Sequence, residues 1–130
     1  MTKINHISIA VKDIQKFADL YSTLFGIRFT LPELLKTQNA YLSFGETEGA
    51  KLELISPVSE DSPVWKFLDK RGEGLHHVCF EVENLEQSLQ SLKSKGVEII
   101  GEPSEGGTGK KIVFLHPRNT GGILIELKEK

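Results

Sequence analysis

Apolar and polar residues alternate at period two from Ile7 through Ile9 to Val11, and again from Val78 through Phe80 to Val82. This is the pattern of a strand with one face packed and the other free to carry polar groups. The two stretches align at an offset of 71, which also lays His6 over His77. After each, the period becomes helical. Ile14, Phe17, Ala18, Tyr21, Leu24 and Phe25 fall on one helix face, and Leu85, Leu89 and Leu92 form a shorter stripe. Asn84 followed by Gln87 reads as an N-cap with its partner, and Gly26 and Gly96 supply residues able to take the left-handed C-terminal position. Further strand-like stretches follow at Ile27–Leu31, Ala40–Phe44 and Lys51–Ile55, and in the second copy at Val97–Ile100, Lys111–Leu115 and Ile123–Leu127.

The repeated unit is β-α-β-β-β, so the predicted fold class is α+β. We read residues 1–130 as a single domain: a first βαβββ module over 4–56, a linking helix within 57–74 and a second βαβββ module over 75–128. Ser62 and Pro63 start the linking helix, Val64, Trp65, Phe67 and Leu68 give its apolar residues, and Gly72 and Gly74 end it.

Composition narrows the function classes. With 16 basic and 18 acidic residues the net charge is −2, so no basic field recruits nucleic acid. No apolar run approaches the roughly 20 residues that cross a bilayer. Met1, Thr2 and Lys3 lead straight into the first strand without a secretory apolar region. A cytoplasmic protein without membrane or nucleic-acid partners is expected. The single cysteine, Cys79, excludes an intrachain disulfide framework.

Strand alternation sorts the remaining polar residues. If Ile7, Ile9 and Val11 face the helix, then His6, Ser8 and Ala10 face the other way. His77 points like His6, whereas His76 points with the core residues. The last strand of each copy carries one carboxylate within an otherwise β-favouring run, Glu53 and Glu126, at an offset of 73. Each is unremarkable alone, but recurrence of one His and one Glu in both copies is not generic surface composition. Two imidazoles and two carboxylates suit a divalent first-row ion with positions left open. His76 reads as a polar residue near the sheet edge or cleft, and His116 as a turn residue before Pro117. Cys79 shares the face of His77 as a small residue. The run from Gly106 to Lys111 fails the phosphate-loop pattern and reads as a hairpin loop.

Paired βαβββ modules carrying His6, Glu53, His77 and Glu126 resemble the vicinal oxygen chelate (glyoxalase-like) superfamily over essentially the whole chain. The stretches Asp61–Leu68, Arg71–His77, Phe114–Pro117 and Thr120–Leu127 are similar to the methylmalonyl-CoA epimerase branch. The resemblance implies a curved eight-stranded mixed sheet, a half-open barrel, around a metal cleft, and a homodimer. It implies Co, Ni, Mn or Zn held by His6, Glu53, His77 and Glu126. It also implies interconversion of the 2R and 2S forms of an acyl-CoA, methylmalonyl-CoA, through a metal-stabilised enolate. Glu126 is the expected base. Reprotonation would come from metal-bound water, or from Glu46 or Glu48 if their loop folds inward; Lys110, Lys111 and Arg118 read as solvated surface charge or as phosphate neighbours. Leu42 stands where some epimerases carry a second Glu. The alternatives are glyoxalase I (lactoylglutathione lyase) and a non-catalytic ligand-binding protein of the same fold.

Overall fold

A computed structural model describes residues 2–107 and 109–130. Its elements run β1 (Lys3–Ala10), α1 (Ile14–Phe25), β2 (Glu33–Leu35), β3 (Ala40–Gly45), β4 (Lys51–Pro57), α2 (Pro63–Arg71), β5 (Gly74–Val82), α3 (Leu85–Ser94), β6 (Ile99–Glu105), β7 (Lys111–Leu115) and β8 (Ile125–Glu129). The strands take the hydrogen-bonded order β2-β3-β4-β1-β5-β8-β7-β6 in a mixed sheet. Pairing is parallel for β1 with β4 and for β5 with β8, and antiparallel between β2 and β3, β3 and β4, β6 and β7, and β7 and β8. With its three helices this is the expected α+β class. None of those helices is long and apolar enough to cross a membrane.

The chain divides into a compact unit of residues 6–76 and a second of residues 77–130 joined by the chain up to Asn5. In the first unit the alternation of β1 separates two apolar clusters. Ile9 and Val11 pack with Ile14, Ala18 and Leu54, whereas Ala10 packs with Ala40, Leu42, Ile55, Val64 and Leu68. Helix α1 therefore covers one face and α2 covers part of the other. In the second unit Leu85 and Leu89 of α3 pack on Val113, Leu115 and Leu127.

Local chemistry sets the element ends. Asp13 accepts from the Lys16 N–H and Asn84 from the Gln87 N–H, each removing one unsatisfied donor of a helix start. The Ser62 hydroxyl accepts from Val64 N–H ahead of Pro63. Gly26 and Gly96 take positive φ, as their placement after the helices requires. The stripe of α1 is buried only in part: Ile14 and Ala18 are covered, while Leu24 and Phe25 stay exposed.

The strand expected at Ile27–Leu31 does not form. Only an isolated bridge joins Phe29 to Gly45, and the ladder resumes at β2. Thr30 accounts for the difference, because its hydroxyl accepts the Phe44 N–H while its backbone N–H donates to the Phe44 carbonyl. A side chain has taken a donor that a continued strand would have paired, and Pro32 adds a residue with no N–H. In the second copy the stretch expected from Val97 begins two residues later, because Val97 N–H donates to Leu92 O at the end of α3.

Candidate metal centre

In the first unit β1 and β4 run parallel with Ser8 opposite Glu53, and β4 is flanked on its other side by β3 with Phe44 opposite Glu53. Residues opposite one another in a ladder point to the same face. Phe44, Glu53 and Ser8 therefore form one row across three strands, and His6, two residues before Ser8, shares their side. Its ring meets Phe44 edge-on at a centroid distance of 6.0 Å. His6 Nε2 lies 3.6 Å from Glu53 Oε2.

The second unit repeats this arrangement. Cys79 stands opposite Glu126 in the parallel β5–β8 ladder, and Phe114 opposite Glu126 in the antiparallel β7–β8 ladder. The His77 ring meets Phe114 edge-on at 5.3 Å, and its Nε2 lies 3.0 Å from Glu126 Oε2. His6, Glu53, His77 and Glu126 are all between 3% and 5% exposed, a depth at which charged groups persist only when paired or ligating.

The donor set fits a divalent ion. Two donors each about 2.1 Å from one ion, at roughly tetrahedral to right angles, are roughly 3.0–3.4 Å apart. The pairs at 3.0 and 3.6 Å bracket that span. Imidazole with carboxylate is a mixture that suits Zn, Co, Ni or Mn. Each strand pair thus presents one imidazole beside one carboxylate, donors able to hold a divalent ion.

The other singled-out residues find different work. His76 meets the ring of Phe67 in α2 edge-on at 4.7 Å. His116 caps a short 3-10 turn, its Nδ1 accepting from Arg118 N–H, as its turn position predicted. Arg118 is exposed and pairs with Glu98 at 2.5 Å, so its guanidinium already has a carboxylate partner. Glu46 likewise pairs with Lys51 at 3.5 Å in an exposed position and does not fold inward. Leu42 is buried in the apolar cluster under α2. The run from Gly106 forms the β6–β7 hairpin, with Gly106 N–H donating to Lys110 O; Thr108 of that run lies outside the described residues. Phe44 and Phe114 escaped the sequence reading, although their offset of 70, close to the 71 and 73 of the His and Glu residues, was a signal for them.

The chain is similar to several known proteins. Residues 5–114 match the family model described as glyoxalase/bleomycin resistance protein/dioxygenase superfamily. An uncharacterized Bacillus subtilis protein, YqjC, is 41% identical over 99% of this chain and 93% of its own length. The mitochondrial methylmalonyl-CoA epimerase of Bos taurus is 36% identical over 98% of this chain and 74% of its own. Among solved structures, a Streptomyces coelicolor methylmalonyl-CoA epimerase variant in complex with 2-nitronate-propionyl-CoA superposes with a TM-score of 0.92 at 33% identity, covering 100% of this chain and 95% of that one.

Proposed function

The chain belongs to the glyoxalase/bleomycin resistance protein/dioxygenase superfamily, and from that premise we propose that it is a metal-dependent epimerase interconverting the 2R and 2S forms of methylmalonyl-CoA. The observation that carries the reading is the repeated His–Glu pair, His6 with Glu53 and His77 with Glu126, on matching strands of two copies. Its epimerase relatives supply the substrate class. We assign the four side chains to one divalent ion, Co, Ni, Mn or Zn, in a cytoplasmic homodimer.

The carbon between a carboxylate and a thioester carries a weakly acidic proton, and inversion requires that proton to leave from one face and return to the other. A bound divalent ion would supply Lewis acidity toward the thioester oxygen. Glu126 is the proton acceptor. Its carboxylate is nearly sealed from water and held beside His77, so it reaches the substrate from a fixed direction. Leu42 offers no second base, since its side chain is aliphatic, and it packs in the apolar cluster beneath α2.

Incubating metal-loaded protein with one epimer of methylmalonyl-CoA in deuterated water tests the proposal. Incorporation of one deuterium at the α-carbon with formation of the other epimer is expected, and absence of exchange with every divalent ion would refute it. Glyoxalase I remains the second reading because two His and two Glu also serve that reaction. Thioester formation from the methylglyoxal–glutathione hemithioacetal, without α-exchange on the acyl-CoA, would favour it. Ligand binding with neither reaction would mark a non-catalytic member of the fold.

A further inference from the structure

Among the described residues, the Ser8 hydroxyl is the buried side-chain polar atom that has no hydrogen-bond partner. Other fully buried serines are satisfied: Ser43 Oγ donates to Thr30 O at 2.5 Å and Ser62 Oγ to Gln38 O at 3.2 Å. An unsatisfied buried hydroxyl is costly, and a sequence keeps one where a partner arrives in another state. Ser8 is 0% exposed, so a diffusible ligand cannot reach its oxygen directly. A neighbouring side chain can.

That neighbour is Glu53, directly opposite in the β1–β4 ladder, on the same face and one row from His6. The second copy differs at this one place in the row. Cys79 stands where Ser8 would be, and its thiol contacts its own strand at Phe80 O, 3.9 Å away. We infer that the Ser8 hydroxyl is a positioning donor for the Glu53 carboxylate, engaged when that carboxylate turns to ligate the divalent ion. Ser8 does not touch the ion or the substrate. It fixes which oxygen of Glu53 remains available, as groups hydrogen-bonded to ligating carboxylates do. The two halves of the centre are then unequal, one carboxylate held by a strong donor and the other beside a weak one. This inference rests on the metal-centre reading above.

The test titrates full-length protein with Zn²⁺ and with Co²⁺ against a chromophoric chelator, and melts the metal-free protein in parallel. S8A is expected to bind the ion about 10- to 100-fold more weakly, with a metal-free melting temperature equal to or above that of the unsubstituted protein. S8C, which installs the residue of the other copy, should fall between the two and serves if S8A does not fold. S8A affinity within twofold of the unsubstituted protein would overturn the inference while leaving the metal centre standing. A metal-free melting temperature that falls in step with affinity would make Ser8 a packing residue and overturn it equally. If the unsubstituted protein binds no ion, the metal-centre reading fails and takes this inference with it.

Discussion

Phe114 stands directly opposite Glu126 in the β7–β8 ladder and sets its ring edge-on against the imidazole of His77. One aromatic side chain thereby borders both members of a His–Glu pair, and Phe44 does the same for His6 and Glu53. A ring in this position restricts the imidazole on the side it contacts. Replacing Phe114 by Ala should release His77 and weaken divalent-ion binding about 10-fold, and Leu at the same position should restore part of the loss. Isothermal titration of both variants with Zn²⁺ checks the order.

Removing the proposed base should separate chemistry from folding. Glu126→Gln keeps the size and hydrogen-bonding shape of the side chain but cannot accept the proton. Its exchange rate in deuterated water should fall by roughly 10²- to 10⁴-fold while its circular dichroism stays unchanged. His6→Ala should instead lower the metal content of the purified protein, read by elemental analysis, before any effect on turnover at saturating metal. Exchange at the full rate by Glu126→Gln would remove Glu126 from the role of base.

Gly45 is required for packing rather than for backbone freedom. A Cβ built there would lie 2.7 Å from Ile27 Cγ2 and 2.7 Å from Phe29 Cε1, where the Phe29 bridge brings the segment against β3. Gly45→Ala should cost about 1–3 kcal/mol by overpacking, a melting-temperature drop of about 3–10 °C. Gly49→Ala meets nothing within 4 Å and should melt like the unsubstituted protein. Differential scanning calorimetry of the two variants gives the comparison.

Leu54 is 0% exposed at the centre of the cluster beneath α1, one residue from Glu53 but on the opposite face. Leu54→Ala should destabilise the protein by about 2–5 kcal/mol, read as a lower urea midpoint. At temperatures where it remains folded, its ion affinity should match the unsubstituted protein, because the strand still presents Glu53 to the polar face.

The α+β class, the strands that carry His6, Glu53, His77 and Glu126, the helix after Ser62 and the recurrence of one His and one Glu in each copy were legible in the residues. Period-two alternation and recurrence are local signals, and they survive folding because burial enforces them. Tertiary structure decided what local patterns cannot encode. Thr30 diverted the Phe44 N–H and so ended the stretch at Ile27–Leu31 as a strand. Leu24 and Phe25 continued a helical stripe yet stayed exposed, because periodicity records only which side faces inward and not how far the covering sheet extends. The rows Phe44–Glu53–Ser8 and Phe114–Glu126–Cys79 exist only through ladder register. Their members are distant in the chain, and register depends on hydrogen bonds between strands that no single stretch of sequence contains.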